Sequence, residues 1–129
     1  MDNGKLIMEN EMKANSQQAI QEKSFHFAVR IVNLCRYLRE GQKEYILSKQ
    51  LLRSGTSIGA NVAEAQQAQS KPDFINKMNI ALKKAYETSY WLQLLHATDY
   101  LNTKEYESII ADHMEVVKLL VAIVKTAKE

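Results

Sequence analysis

The chain has 129 residues, the size of one domain. It contains one cysteine, one proline and four glycines, which excludes an internal disulfide framework and leaves too few turn residues for a many-stranded sandwich or barrel. A net charge of +2 is too small to identify a nucleic-acid-binding protein by itself.

The charges are distributed unevenly along the chain. Residues 23–53 carry seven Lys or Arg against Glu40 and Glu44, a net charge of +5, whereas residues 1–22 and 87–129 are net acidic. A basic helical segment is consistent with an anionic partner and also with a solvated helix face. Both interpretations stay open.

No membrane or export signal is recognisable in the sequence. The apolar runs Leu6–Met8 and Leu119–Val124 are shorter than the ~7–15 residues of a signal peptide or the ~20 residues of a membrane span. The sequence therefore predicts a cytoplasmic protein with no membrane partner.

The first helix is expected after a polar N-terminal segment. Residues 1–22 lack a sustained hydrophobic period, so we expect them to be mobile or only partly helical. Apolar residues then recur at helical spacing over residues 24–40. Ser24 is a candidate N-cap, and Gly41 stands where a positive φ commonly ends a helix.

The second helix is predicted over residues 43–69 and is unusual in its middle. Gly55 and Gly59 lie inside its helical period, although each glycine costs about 1 kcal/mol relative to alanine there. Together with Ala63 they form a line of small residues. This pattern indicates a close neighbour that a β-carbon would obstruct.

The last two helices are predicted over residues 73–97 and 103–126. Each follows a residue with cap spacing, Ser70 before the third helix and Asn102 before the fourth, with an acid three positions later. Four long helices with short connections predict an all-α, antiparallel up-and-down four-helix bundle with a flexible N-terminal segment, its domain spanning residues 23–129.

Motifs for catalysis or metal binding are weak. Gly55–Gly59 matches the G-x-S-x-G pattern around a hydrolase serine, Ser57, but no strand precedes it to form the strained turn that such a serine needs. No histidine has the Glu-x-x-His spacing of di-iron bundles. We expect His113 and Cys35 to be core residues. The sequence thus predicts no enzyme, no catalytic or metal-binding residues, and no cofactor.

A polar stripe runs beside the apolar line of the second helix. It is either a solvated face or a buried or interfacial hydrogen-bonded network, in which an arginine pairs with a carboxylate of the next helix. The stripe and its candidate partner are Arg53, Ser57, Asn61, Glu64 and Glu87.

The third helix has a second apolar line, turned away from its core line. A contiguous apolar and aromatic patch is typical of a surface that meets a partner, and it favours a subunit interface over plain exposure. The candidate interface residues are Ile80, Tyr90, Trp91 and Leu94.

Three blocks of the sequence resemble one known family. They are KSFHFAVRIVNL, LLRSGTSIGANVAEAQQAQSKPDF and IALKKAYETSYWLQLL, and they are similar to the four-helix-bundle proteins encoded by bacterial 23S rRNA intervening sequences. The resemblance implies a bacterial homo-oligomer, with a ring of five subunits as the best expectation. It also implies kinship with accessory proteins of diversity-generating retroelements, which are basic bundles that work with RNA. It implies no enzyme activity.

The first functional hypothesis is a non-enzymatic, homo-oligomeric binding or scaffolding module associated with RNA or an RNA-handling protein. No small-molecule substrate is expected. The alternative, from another class, is a protein–protein adaptor that binds another polypeptide through the Trp91 face. The candidate nucleic-acid surface consists of Arg30, Arg36, Arg39, Lys43, Lys49, Lys83 and Lys84.

Overall fold

The computed structural model describes residues 3–129 and contains four helices. They are α1 (Asn3–Gln42), α2 (Leu47–Ala65), α3 (Lys71–Ala97) and α4 (Thr103–Lys128). Helices α2 and α4 each pack against both α1 and α3, so the four helices surround one core. The predicted all-α four-helix bundle is confirmed.

Neighbouring helices run in opposite directions, as contacts between α1 and α2 illustrate. Near one end of the pair, Gln66 Nε2 donates to Gln17 Oε1 at 3.3 Å. Near the other end, the Cys35 thiol donates to the Ser48 carbonyl at 3.3 Å. Early residues of α1 therefore meet late residues of α2, which is the antiparallel arrangement expected from a short connection.

Helix α1 is much longer than the sequence pattern predicted. It begins at Asn3 instead of Ser24, so the expected boundary between residues 22 and 23 falls inside a continuous helix. Ile20 is fully buried and already belongs to the core. Ser24 is no cap: it is buried, and its hydroxyl donates to the Gln21 carbonyl within the helix. Residues 1 and 2 of the predicted mobile segment lie outside the described residues.

The end of α1 also differs from the prediction. Gly41 lies inside the helix, and Lys43 adopts the left-handed backbone conformation, with φ of 57°. The next amide, that of Glu44, donates to the Leu38 carbonyl at 2.9 Å and closes the helix end. Left-handed geometry is unfavourable for a residue with a β-carbon. Lys43 has a β-carbon and so bears this strain.

A glutamate supplies the start of α2, which spans Leu47–Ala65 instead of the predicted 43–69. Glu44 is only 7% exposed, and its carboxylate accepts hydrogen bonds from the Leu47 amide at 3.0 Å and the Ser48 amide at 2.8 Å. These amides have no carbonyl partner within the helix. The buried carboxylate satisfies them and fixes the turn between α1 and α2.

The predicted caps of α3 and α4 are confirmed. Ser70 Oγ accepts from the Asp73 amide at 3.2 Å. Asn102 and Glu105 form a reciprocal capping box, with each side chain accepting from the other's backbone amide. These local signals place the helix starts within two residues of the predicted positions.

The two glycines inside α2 mark its closest approach to α1. A β-carbon added to Gly55 would lie 2.8 Å from Ile31 Cγ2 and 3.3 Å from Ile31 Cβ. One added to Gly59 would lie 3.3 Å from the Ser24 carbonyl oxygen. The predicted close helix contact is confirmed, and rotation of the Ile31 side chain would still leave its β-carbon 3.3 Å from the added carbon.

We expect Gly55→Ala to lower the free energy of unfolding by about 1–3 kcal/mol, because the added methyl overpacks the contact with Ile31. Gly41→Ala is the matched control: its new β-carbon would lie 3.5 Å from Tyr37, an ordinary contact. Because alanine favours a helix, this change should be neutral or stabilising by up to about 1 kcal/mol. Urea denaturation measures both variants. Equal stabilisation by the two would contradict the close contact.

A histidine lies in the core between α3 and α4. His113 Nε2 is 2.7 Å from the Ala85 carbonyl oxygen, which only accepts, so Nε2 carries the proton. The other ring nitrogen, Nδ1, is buried and has no hydrogen-bond partner in residues 3–129. Burial lowers the pKa of His113 below 6.5, and the hydrogen bond to Ala85 opposes this shift only in part. The neutral imidazole is thus the form that the core holds.

This arrangement predicts a pH dependence of stability. Above pH 6.5 His113 is neutral in both the folded and unfolded states; below it the unfolded chain takes up the proton more readily, so stability falls as the pH drops. The His113→Gln variant can still donate a hydrogen bond to Ala85. We expect its free energy of unfolding to fall less than that of the wild type between pH 7.5 and 5. The exposed-site variant His26→Gln should show the same fall as the wild type. Identical urea-denaturation profiles for wild type and His113→Gln would show the inference to be wrong.

Candidate nucleic-acid interface

The structure divides the candidate cations into paired and unpaired groups. Arg30 Nη1 lies 2.7 Å from Asp112 Oδ2, and its other amino group donates to Ser108 Oγ at 2.9 Å. Lys84 Nζ lies 3.5 Å from Glu87 Oε1. These two cations already have acidic partners within the bundle, so they contribute less positive potential to the surface.

Three other cations lie together in one groove, beside the turn between α1 and α2. Arg36, Arg39 and Lys43 line this basic groove, and no ion pair engages any of them within the described part of the chain. Its remaining lining residues are Val32, Cys35, Glu40, Tyr45 and Leu52, and its volume is about 540 Å³. The groove thus combines cationic with apolar and aromatic lining residues.

The other two candidate cations lie outside the basic groove. Lys49 is exposed on α2 and Lys83 is exposed on α3. The structure therefore brings together only three of the seven predicted nucleic-acid residues.

Cys35 lies beneath the basic groove and is not reactive there. Its side chain is buried and donates to the Ser48 carbonyl. Burial raises the pKa of the Cys35 thiol to about 12, although nearby Arg39 acts in the opposite direction. The thiolate is the nucleophilic form of cysteine, so a thiol that stays protonated at neutral pH is unreactive. Cys35 thus serves as a core residue.

The polar stripe on α2 mostly satisfies its own helix. Ser57 Oγ donates to the Arg53 carbonyl at 2.6 Å, and Asn61 Nδ2 donates to the Ser57 carbonyl at 2.8 Å. Across residues 3–129 no ion pair joins Arg53 to Glu87. The network predicted around that pair is absent within one chain. An interfacial version of the network stays a prediction.

The acids of that stripe have other partners. Glu64 lies 3.9 Å from Lys77 Nζ. Glu87 accepts from the Trp91 indole at 3.2 Å, besides its contact with Lys84. All three contacts join residues of the same bundle.

Ser57 lacks the geometry of a hydrolase nucleophile. It lies within the regular helix α2, and its hydroxyl is engaged by the backbone four residues earlier. A nucleophile elbow requires a strained turn between a strand and a helix. The hydrolase interpretation of this motif is therefore wrong.

The predicted Trp91 face is only partly exposed. Ile80, Trp91 and Leu94 are half-buried, and Trp91 packs against the bundle's own core. Tyr90 is 59% exposed and meets Trp91 edge to face, with ring centroids 5.1 Å apart. Its role as a subunit interface stays a prediction.

A second apolar surface was missed in the sequence analysis. Phe25 is 71% exposed on α1. It borders a groove of about 610 Å³ between α1 and α2, whose lining includes Ala28, Gly59 and Ala63. We call this the apolar groove. Phe25, Val29 and Val32 are all exposed on α1, and of the three Phe25 lines the apolar groove. Their spacing, four and then three residues apart, was a readable signal for an exposed apolar line that the stronger core line obscured.

No group of three His, Cys, Asp or Glu side chains in residues 3–129 is placed to hold a metal ion. None of the helices in that range is long and apolar enough to cross a membrane.

Comparisons with known proteins relate the whole bundle to one family. The family model described as 23S rRNA-intervening sequence protein matches residues 16–122. A crystal structure of a protein of unknown function from the S23 ribosomal protein family of Bacteroides thetaiotaomicron is 58% identical, with a TM-score of 0.85. The match covers 85% of this chain and 98% of that one. No match is found among curated proteins.

The family match covers most of the chain, with α2 and α3 complete and the greater part of α1 and α4. The R-S-G-T-S-I-G-A-N-V-A-E block of the sequence lies within it, at the contact between α1 and α2. The chain belongs to the 23S rRNA-intervening sequence protein family.

Proposed function

We propose that this protein is a non-enzymatic, homo-oligomeric helical bundle of the cytoplasm that binds RNA through the basic groove. The observation that carries this proposal is the presence of three unpaired cations, Arg36, Arg39 and Lys43, along one groove. A groove that concentrates one sign of charge attracts an anionic chain more strongly than the net charge of +2 suggests. Glu40 is the one acid of the lining and leaves the groove net positive.

The chemistry of the cations supports a phosphate partner. A guanidinium presents several N–H donors in a fixed plane that matches phosphate oxygens, and Arg36 and Arg39 supply two of them. The family name refers to 23S rRNA, which supports RNA as the polyanion. RNA phosphates would release counterions when these side chains bind them.

Self-association is supported by the apolar surface that one chain leaves exposed. Tyr90 at the Trp91 face and Phe25 at the apolar groove are both more than half exposed. Contiguous apolar patches of this kind are commonly covered by a partner. Five copies would also present five basic grooves to one RNA, and linked sites bind more tightly than one site does.

We expect RNA binding to weaken steeply with salt and to depend on the basic groove. Three phosphate contacts with single-stranded RNA give a slope of log K against log salt of about −2. The double variant Arg36→Glu/Arg39→Glu should lose about tenfold or more in affinity and most of that slope. Fluorescence anisotropy with labelled RNA over a salt series measures both quantities.

The matched control is Lys118→Glu/Lys125→Glu. Both lysines are exposed on α4, and the double variant changes the net charge by the same amount. It should keep nearly the wild-type affinity. Equal losses in the two double variants, or binding that does not change with salt, would contradict a role for the basic groove.

We expect the wild-type protein to run in solution as an oligomer, five chains of 14.8 kDa being the first expectation. Tyr90→Glu or Phe25→Glu should reduce its mass, and the variant that does so identifies the face that carries the contact. Met114→Glu is the control, because Met114 is an exposed apolar residue on α4, which carries neither set of residues. Light scattering coupled to gel filtration gives the mass. A monomeric wild type would refute self-association.

A further inference from the structure

The basic groove is lined by two chemically different sets of residues. Arg36, Arg39 and Lys43 provide positive charge, whereas Val32 and Leu52 provide apolar surface. Tyr45 lines the same groove and is 53% exposed, so its ring is available to a ligand. A volume of about 540 Å³ lies within the ordinary range of small-molecule sites.

We propose that the basic groove holds an unpaired nucleotide of a single-stranded RNA, with its base against Tyr45 and the neighbouring phosphates on the three cations. This inference rests on the proposed RNA-binding function and adds the class of RNA. Stacking on an aromatic ring requires a free base face, and a base inside a duplex has none. A site that bound phosphate by charge alone would need neither the exposed ring of Tyr45 nor the apolar surface of the groove.

The backbone of Lys43 supports a role for its side chain. Two residues of the described chain that are not glycine have positive φ, Lys43 at 57° and Asp99 at 68°. Asp is enriched in this conformation because its short polar side chain bonds locally, whereas Lys has no such advantage. Glycine would relieve the strain at position 43. Glycine would suit the backbone at this position better than lysine does. We therefore attribute the lysine to a role of its side chain.

Tyr45 is tested with an oligonucleotide of about ten nucleotides that carries one 2-aminopurine, used as a single strand and as a duplex. We expect the single strand to bind more tightly, and the probe's fluorescence to change on binding because its base stacks. Tyr45→Ala should weaken single-strand binding by about 5- to 150-fold, the range found for loss of one stacked base. Tyr86→Ala, an exposed tyrosine on α3, should leave the affinity unchanged.

The outcomes separate this inference from the function on which it rests. Equal binding of duplex and single strand, or an unchanged affinity in Tyr45→Ala, would overturn the stacking site and leave RNA binding intact. No binding of either RNA would overturn both. A DNA strand of the same sequence, bound as well as the RNA, would keep the unpaired base and remove any preference for RNA.

Lys43 is tested by a pair of glycine variants. Lys43→Gly and Asp99→Gly both relieve a positive φ, so both should keep or raise the melting temperature. Only Lys43→Gly should weaken single-strand binding, by severalfold, and reduce its salt dependence. Because the folded state is not impaired in either variant, wild-type binding by Lys43→Gly would remove Lys43 from the site.

Discussion

The close approach of α1 and α2 organises both surfaces of interest. At Gly55 and Gly59 the absence of a β-carbon lets Ile31 and the Ser24 carbonyl come within van der Waals distance of α2. The apolar groove lies at the level of Gly59, and the basic groove lies further along the same pair of helices, toward their connecting turn. Two glycines that weaken α2 as an isolated helix thereby fix the geometry of the surface beside it.

The turn between α1 and α2 places a strained backbone and a buried carboxylate beside the basic groove. Glu44 is buried and binds the first amides of α2, and Lys43 is held in a left-handed conformation immediately before it. Buried carboxylates and strained backbone are tolerated where the surrounding structure compensates for them. The turn thus carries Lys43 and Tyr45 itself and lies next to the α1 end that carries Arg36 and Arg39.

Sequence patterns predicted the bundle, the caps at Ser70 and Asn102, and the tight contact at Gly55, because each depends on residues that are close in sequence or on helical periodicity. The pairing of Arg30 depends on a partner on α4, 82 residues away, so periodicity could not exclude it from the candidate surface. Glu44 differs from Arg30, because it bonds amides only three and four residues later, but this spacing matches no common capping motif. The apolar line of Phe25, Val29 and Val32 on α1 was readable at helical spacing, whereas the groove beside Phe25 is completed by residues of α2 that are distant in sequence.

Amide hydrogen exchange with and without single-stranded RNA tests the central claim most directly, since it locates the contact without a substitution. Saturating RNA should slow exchange at the turn between α1 and α2, over residues 43–49, and leave the amides of α4 unchanged. The exchange rates of the Leu47 and Ser48 amides, which donate to Glu44, report on the stability of this turn. Protection confined to α3 around Trp91, with no change at the turn, would contradict the account.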